Sequence, residues 1–318
     1  MTSVAILLVL LVARSLQAPL ASETRDRALA LGRDYVYDAR HQVPPAPFDA
    51  EREEAVLKTR RRAIEAELAT LGEHPWAGWY YEGDGLGHNV RLGIAPVAGA
   101  TYTLSGCLGL YDLNHGEIRS VDARGIELYL VIDPRQNDRT WRASLPRATM
   151  SSRWVPVSWG TERFLIPECQ LIAFCNDVNS GGDGGNFPRR EADGAQHEPR
   201  HRPEGMPALP SAYAPFLLER ELEAALEGTR EPLSVGTYAG GSPEKFLVTA
   251  EIPLGTEQGL LPGMLFHAPA EKRGEAEVVH VEPGRALLEF RFAKHDEARD
   301  IPRDGWRVTT RKPARRTR

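Results

Sequence analysis

Hydrophobic and polar positions change their pattern along the chain, and the first regular pattern is helical. Residues 50–71 are rich in charged residues, with a thin apolar stripe at helical spacing, which predicts a helix that begins after Asp49 and ends before Gly72. The stripe consists of Val56, Ile64, Leu68 and Leu71. Because so narrow a stripe buries little apolar surface, we expect this helix to lean against a domain and not to form one.

After Pro75 the pattern changes to short stretches rich in Trp, Tyr, Thr, Val and Ile, separated by Gly, Asn and Asp, which predicts antiparallel strands joined by turns. The predicted strands are Trp76–Glu82, His88–Ala95, Thr101–Cys107, Gly116–Val121, Ile126–Ile132, Arg153–Trp159 and Arg163–Ile166. Most connections are too short for the crossover helices that parallel strands need. We therefore expect an antiparallel barrel or curled sheet, closed by a helix over Pro167–Asn179.

A second block of strands lies between residues 211 and 310. The predicted strands are Phe246–Ile252, Met264–Ala268, Ala276–Glu282, Ala286–Phe292 and Trp306–Thr310. Gly and Pro turns join them, which favours a small β-barrel domain. The stretch between the two blocks, 181–210, offers few apolar residues to bury and is predicted to be a flexible linker. The predicted fold class is therefore mainly β, with one long N-terminal helix.

The chain begins with an apolar run, Val4–Ala13, that ends at Arg14 and is followed by small residues near Ala18 and Ala21. Such a run is too short to span a bilayer and is typical of a cleaved secretory leader. We therefore expect an extracytoplasmic protein, periplasmic or secreted, with no transmembrane span in the mature chain. The predicted segments are a signal peptide (1–21), a polar linker with the charged helix (22–74), an antiparallel β domain (75–180), the flexible linker (181–210), the small β-barrel domain (211–310) and a basic tail (311–318).

The charge balance limits the classes of partner. A formal net charge of −5 and a pI near 6.0 provide no extended positive field, so we expect no nucleic-acid partner. The basic tail is short, lacks apolar periodicity and is assigned no function. An envelope protein or a small ligand remains as the partner class. Because the sequence has no His-Glu-x-x-His, Gly-x-Ser-x-Gly or EF-hand motif, it predicts no cofactor, metal or catalytic residue.

Three cysteines, an odd number, leave at least one thiol outside any internal pair. Cys169 and Cys175 lie on one predicted helix, about 9 Å apart along its axis and beyond the roughly 7 Å limit between Cα atoms for a disulfide. An internal disulfide would therefore use Cys107, with Cys175 as the favoured partner. Buried free thiols explain the same pattern equally well.

The densest cluster of aromatic residues and glycines lies between Trp76 and Asn89. Its glycines do not precede a Lys-Ser/Thr pair or a helix, so a wide hairpin turn is favoured over a phosphate cradle. The aromatic side chains either fill the core of a barrel or line a ligand site at its mouth. The candidate ligand-binding residues are Trp79, Tyr80, Tyr81, Asp84, Tyr111, Asp112 and His115.

Two further hypotheses depend on which side chains meet. If the turns near Asp84 and Asp112 lie together, these carboxylates with His88 and His115 would form the site of a secreted hydrolase or metal-dependent enzyme. Asp112 as a residue of a hairpin turn, together with Asn114, explains the same pattern without chemistry. A lipocalin-like carrier would instead have a deep pocket lined by Tyr80, Tyr102 and Tyr111.

The residues Gly255, Gly259, Leu260 and Gly263 form the most recognisable string. It resembles the strand-turn-strand of the small β-barrel modules in bacterial cell-envelope proteins, including the rod-shape scaffold (MreC) family and flagellar accessory proteins. This resemblance implies scaffolding or protein contact and supplies no catalytic residues. In the first domain, Gly78-Trp79 is similar only in composition to the start of lipocalins. The leading expectation is an exported, non-catalytic binding or scaffolding protein of the bacterial cell envelope.

Overall fold

A computed structural model of the chain describes residues 49–83, 87–107, 109–131, 153–193, 201–234, 245–269, 272, 274–293 and 301–313. The predicted signal peptide, the polar stretch before Asp49, Asp84 and the last residues of the basic tail lie outside this description. The described chain forms two compact units. The barrel unit contains the residues up to Phe174 together with Gly182–Ala214, and the C-terminal unit contains Cys175–Gly181 and the residues from Pro215 onward.

The barrel unit is a closed, eight-stranded antiparallel barrel, which confirms the predicted fold class. Its strands are β1 (Gly78–Gly83), β2 (Asn89–Ala95), β3 (Gly99–Gly106), β4 (Gly109–Asp122), β5 (Gly125–Leu130), β6 (Arg153–Trp159), β7 (Glu162–Pro167) and β8 (Arg189–Arg190). Each strand pairs with the next, and β8 returns to β1 by pairing Arg190 with Tyr80 and Arg189 with Tyr81.

The alternation of side chains along each strand places one apolar set inside the barrel. Val90, Leu92 and Ile94 of β2 point into this core, which also holds Tyr102 and Trp154. Burying a large apolar side chain stabilises the fold by about 1.5–3 kcal/mol, so these residues provide much of the stability of the barrel.

The predicted helix is present over Ala50–Leu71 (α1) and packs on the outer wall against β2, β3 and β4. Asp49 caps it, because its carboxylate accepts a hydrogen bond from the backbone N–H of Arg52 at 3.1 Å. Ile64 of the predicted stripe is fully buried. Val56 is not part of the buried face, since it is exposed while its neighbour Leu57 is buried.

Charged side chains also hold α1 against the barrel. Nη1 of Arg60 donates to the carbonyl oxygens of Ala98 and Gly116, each at 2.8 Å. The carboxylate of Glu67 accepts the backbone N–H groups of Val97 and Ala98. A hydrogen bond to a charged group contributes more than a neutral one, about 1.5–3 kcal/mol, so these contacts compensate for the narrow apolar stripe.

Of the segment predicted as a flexible linker, 181–210, the described residues from Gly182 onward belong to the barrel unit and supply β8. Its Phe187 is buried, with a ring centroid 5.2 Å from that of Phe174. Further along, the backbone N–H of Ala208 donates to the carbonyl of Ser158 at 2.8 Å and extends the sheet beside β6. The sequence did not predict this strand, because β8 has only two residues, both arginine, which show no alternation of apolar and polar positions.

The predicted closing helix is present as a 3₁₀ turn, Glu168–Gln170, followed by α2 (Leu171–Asn179). The boundary between the two units falls inside α2, after Phe174. In the C-terminal unit, the side-chain amide of Asn176 donates to the carbonyl of Gly263 at 2.9 Å and accepts the N–H of Leu265 at 3.1 Å. The end of α2 is therefore an integral part of the C-terminal unit.

The C-terminal unit contains a curled, antiparallel, seven-stranded sheet in the order β10-β11-β14-β13-β12-β15-β9. Its strands are β9 (Glu223–Ala225), β10 (Leu233–Ser234), β11 (Lys245–Ile252), β12 (Leu265–His267), β13 (Glu275–Glu282), β14 (Arg285–Ala293) and β15 (Arg307–Thr309). The edge strands β9 and β10 are successive parts of one segment, and Glu227 between them bridges to Glu251 of β11. The sheet is therefore curled, and this one segment supplies both of its edge strands.

Neither helix among the described residues has both the length and the apolar character that a membrane span requires.

Candidate functional site

The strand β1 places the predicted aromatic residues on opposite faces. Tyr80 points inward, is fully buried, and donates its hydroxyl hydrogen to the carbonyl of Trp76 at 2.8 Å. Burial raises the pKa of Tyr80, so the phenol stays a hydrogen-bond donor. Trp79 and Tyr81 point outward and are half-buried. Of these three candidates, only Trp79 and Tyr81 are placed to meet a ligand on the outer wall.

The structure does not bring His88 and His115 together. In the register of the sheet, His115 pairs with Thr101, which pairs with Gly93 on β2. His88 lies five residues before Gly93, about 16 Å away along the strand direction at 3.3 Å per residue. The two imidazoles of the enzyme hypothesis therefore lie at different levels of the wall.

Each of these histidines has its own carboxylate partner. His88 lies 3.7 Å from the carboxylate of Glu82. Nε2 of the buried His115 lies 2.9 Å from Oε2 of Glu53 on α1. The Glu53–His115 pair fastens the first turns of α1 to β4. No local sequence pattern indicates this pairing, because the two residues are 62 positions apart.

The predicted turn near Asp112 is part of a strand. Gly106 pairs with Gly109, so the connection between β3 and β4 is short and both Asp112 and Asn114 lie within β4. Asn114 is buried, and its side-chain oxygen accepts the N–H of His115 at 2.9 Å. The assignment of these two residues to a turn is wrong. The side chains of Tyr111 and Asp112 lie outside the described part of the structure.

The lipocalin hypothesis required Tyr80 and Tyr102 beside a deep pocket. Both belong to the cluster of apolar side chains that fills the barrel, together with Leu92 and Trp154. The ring centroids of Tyr102 and Trp154 are 6.5 Å apart. These contacts place the two tyrosines in the core, so neither is placed by the described structure to bind a carried ligand.

An aromatic and cationic surface lies on the outer wall of β1–β3. We call it the Trp79–Arg91 face and define it by Trp79, Tyr81, Arg91, Thr103 and Arg61. Tyr81, Arg91 and Thr103 face one another across β1, β2 and β3. Arg61 approaches them from α1 and donates from Nη2 to Oγ1 of Thr103 at 3.0 Å.

The ring of Trp79 lies flat on β2 because its partner position is Gly93. A Cβ added there would lie within 2.7 Å of three carbons of the ring. The guanidinium of Arg91 lies over the ring, 5.1 Å from its centroid. This stack is a cation–π contact, which contributes about 0.5–1 kcal/mol at an exposed site and fixes the orientation of both side chains.

Arg91 and Arg61 differ in how their charges are compensated. Nε and Nη2 of Arg91 donate to the two carboxylate oxygens of Glu191 at 3.1 and 3.3 Å. Arg61 makes no ion pair with any described residue, and its Nε is buried without a hydrogen-bond partner there. Burial and the charge of Arg91 lower the pKa of Arg61, whereas Glu65 raises it. The face therefore contains a half-buried positive charge at Arg61, for which burial and the repulsion of Arg91 outweigh the attraction of Glu65.

A second cluster of charges surrounds the buried Glu168. Tyr213 donates its hydroxyl hydrogen to Oε1 at 2.9 Å, and Nε of Arg153 lies 3.6 Å from Oε2. Burial raises the pKa of Glu168, against the lowering effects of Tyr213 and Arg153. Glu168 is only 3% exposed. We therefore assign this cluster a structural role, in which it holds the chain at Tyr213 in place, and no role in binding.

The structure holds all three cysteines as free thiols, Cys107 and Cys175 included. Cys107 is exposed, whereas Cys175 is buried. Burial raises the pKa of Cys169 to about 11 and that of Cys175 to about 12. Of the three, only Cys175 matches the description of a buried free thiol. Across the described ranges, no group of three or more His, Cys, Asp and Glu side chains is placed to hold a metal ion.

Sequence analysis identified Trp79 and Tyr81 but missed the charged members of the face. Arg91 occupies an outward position in the alternation of β2, which is visible in the sequence as Val90-Arg91-Leu92. Its neighbours Thr103 and Arg61 were not visible, because they depend on the register between strands and on the position of α1. Glu191 lies in the segment that was predicted to be a linker.

Comparison of the chain with protein-family models, with curated proteins and with solved structures gives no significant match. The resemblance around Gly255 therefore remains a prediction. The structure does explain the glycine itself, because a Cβ at Gly255 would overlap the carbonyl oxygen of Glu282.

Proposed function

We propose that this protein is an exported, non-catalytic binding protein of the bacterial cell envelope that binds through the Trp79–Arg91 face. The observation that carries the proposal is the stack of Trp79 and Arg91 beside Arg61, whose buried Nε has no hydrogen-bond partner among the described residues. Aromatic and arginine side chains are the residues that most often dominate binding energy at interfaces. Held on rigid strands, they lose little conformational entropy when a ligand binds.

The state of the buried acid–base groups supports binding over chemistry. Glu53 is engaged by His115, and Glu168 is held by Tyr213 and Arg153. General acid–base catalysis needs a titratable group within hydrogen-bond reach of a substrate. Because these carboxylates contact partners inside the fold, they fasten structural elements and leave the outer face as the functional surface.

Two features of the sequence support the location in the envelope. The apolar run Val4–Ala13 has the length of a secretory leader. The string from Gly255 to Gly263 resembles the small barrel modules of envelope proteins, which points to a scaffolding role for the C-terminal unit.

Export is tested by fusing a reporter phosphatase that is active only outside the cytoplasm to the C-terminus of the full chain in a bacterial host. We expect an active fusion and a mature N-terminus near Ala18 or Ala21. An inactive reporter, with Met1 retained on the soluble chain, would contradict the proposal.

Binding is tested by co-sedimentation of the purified mature chain with isolated bacterial envelopes. Replacing Trp79 by Ala should weaken binding by about tenfold or more, as expected for an anchor residue. The matched control is Tyr129→Ala, since Tyr129 is an exposed aromatic residue on β5. If Trp79→Ala and the wild type sediment equally, the Trp79–Arg91 face is not the binding surface.

A further inference from the structure

We propose that Arg61, Arg91 and Thr103 form a binding site for a phosphate group, as it occurs in phosphate esters of envelope components. This inference rests on the proposed function and names the chemical class of its ligand. Guanidinium and hydroxyl groups are the donors that proteins commonly present to phosphate oxygens.

The positive charge of the site favours an anionic ligand. Glu191 compensates Arg91 through two hydrogen bonds. Arg61 has only the neutral hydroxyl of Thr103 as a described hydrogen-bond partner. Burial removes part of the hydration of this charge, and Glu65 attracts it without forming an ion pair in the described structure. An anion placed between the two arginines would compensate Arg61 and reduce the repulsion between the two guanidinium groups.

The directions of the donors favour phosphate over carboxylate. Arg91 and Thr103 are directly opposite each other on β2 and β3, where the Cβ atoms of paired residues are about 5 Å apart. Arg61 comes from a different element, α1, and reaches the same position at Thr103. A carboxylate presents two oxygens in one plane and matches a single guanidinium. The oxygens of phosphate diverge, so that they accept donors arriving from a helix and from a strand.

Arg91 is already held in place before a ligand binds. Arg91 is held by stacking on Trp79, which in turn lies flat on Gly93. Since the stack and the Glu191 pair already fix its guanidinium, binding a phosphate group orders few additional rotatable bonds. The exposed half of Arg91 remains available to a ligand.

The test is calorimetric titration of the mature, full chain with inorganic phosphate in chloride buffer at constant ionic strength. We expect millimolar affinity in the wild type and a loss of about tenfold or more in Arg61→Gln. Arg61→Lys retains the charge but loses the planar fork, so it should fall between them. The matched control is Arg62→Gln, which removes the same charge from an exposed neighbour on α1 and should bind like the wild type.

Absence of binding by the wild type at tens of millimolar phosphate, or equal affinities of the wild type and Arg61→Gln, would overturn the proposal. Thermal melting of each variant shows whether it folds. If Arg61→Gln fails to fold, Arg91→Gln takes its place, because half of the Arg91 side chain is exposed. The same loss of phosphate affinity is expected in Arg91→Gln.

A flotation assay distinguishes two sources of the phosphate group. Vesicles of phosphatidylglycerol in phosphatidylcholine present it as a lipid headgroup. If the wild type floats with these vesicles and Arg61→Gln does not, the site binds the lipid headgroup. If the wild type binds phosphate in the calorimeter but does not float, the site binds a soluble phosphate ester.

The proposal is separable from the proposed function. Envelope binding that depends on Trp79 but is not weakened by added phosphate would refute the phosphate site alone. Phosphate binding by a chain whose envelope association is unaffected by Trp79→Ala would refute the proposed binding surface and leave the phosphate site in place.

Discussion

The indole of Trp79 lies directly over the backbone of Gly93, its partner across β1 and β2. The absence of a side chain at Gly93 lets the ring rest on the strand, where Arg91 stacks on it. The geometry of the Trp79–Arg91 face therefore depends on a residue that makes no polar contact itself.

Replacing Gly93 by Ala tests this dependence. The new methyl group would overlap the indole ring, which must move away from β2, and such overpacking costs about 1–3 kcal/mol. We expect a lower free energy of unfolding in urea and weaker binding to envelopes.

The control is the same substitution in a Trp79→Ala background. Without the ring, Gly93→Ala should change the free energy of unfolding by less than about 0.5 kcal/mol. An equal loss in both backgrounds would show that the glycine is needed for another reason.

The strands were largely predictable, because alternation of apolar and polar residues needs no knowledge of distant partners. The predicted bounds of β6 match the structure, and those of β2 differ by one residue. The prediction of β4 was less accurate, since the strand begins at Gly109 and not at Gly116. The sequence Asp112-Leu113-Asn114 contains turn-forming residues, but hydrogen bonding within the barrel outweighs this local preference.

The site was less predictable than the fold, because its residues meet only through register and helix docking. Trp79 and Tyr81 stand out in the sequence as aromatic residues, whereas Arg61 looks like any charged residue on an exposed helix. Its contact with Thr103 joins positions 42 residues apart. No local pattern contains that information.

The docking of α1 predicts a specific effect of Glu53→Ala. This change leaves Nε2 of His115 buried without its partner, which costs about 1–3 kcal/mol. Hydrogen exchange of α1 should accelerate, and the free energy of unfolding should fall. The control is Glu54→Ala, since Glu54 is the exposed neighbour on the same helix. Equal exchange rates in the two variants would contradict a fastening role for Glu53.

The thiols should differ sharply in reactivity. Only Cys107 is exposed, and burial raises the pKa of both Cys169 and Cys175, so few thiolates form at these positions near pH 8. We expect one thiol per folded chain to react rapidly with a thiol reagent, and three after denaturation. In Cys107→Ser the rapid phase should disappear. A rapid phase that persists in this variant would mean that a buried cysteine is accessible.

The side chain of Asn176 should stabilise the C-terminal unit against unfolding. Its amide both donates to Gly263 and accepts from Leu265, and Asn176→Ala leaves two backbone groups without a partner. We expect a loss of about 1–3 kcal/mol in the unfolding transition of this unit. Asn176→Asp keeps the acceptor but loses the donor, so it should also be destabilised. Asn186→Ala, at an exposed position, serves as the control and should leave that transition unchanged.

Glu168 predicts a dependence of stability on pH with a defined sign. Burial raises the pKa of this carboxyl in the folded protein above its value in the unfolded chain, which is about 4.3 for Glu. The folded state therefore holds the proton more tightly than the unfolded state does. The contribution of Glu168 to stability is fully present below the unfolded pKa and is lost as the pH rises through the folded pKa.

Glu168→Gln isolates this contribution, because the amide resembles the protonated carboxyl in shape and does not titrate. We expect the free energy of unfolding of the wild type, relative to Glu168→Gln, to fall as the pH increases from 4 towards neutrality. Tyr213→Phe should strengthen the trend, since the hydroxyl of Tyr213 stabilises the ionised carboxylate and lowers its pKa. Urea denaturation of the three proteins across this range measures the effect. A wild type that gains stability over Glu168→Gln with rising pH would mean that the attraction of Arg153 outweighs the cost of burying the charge.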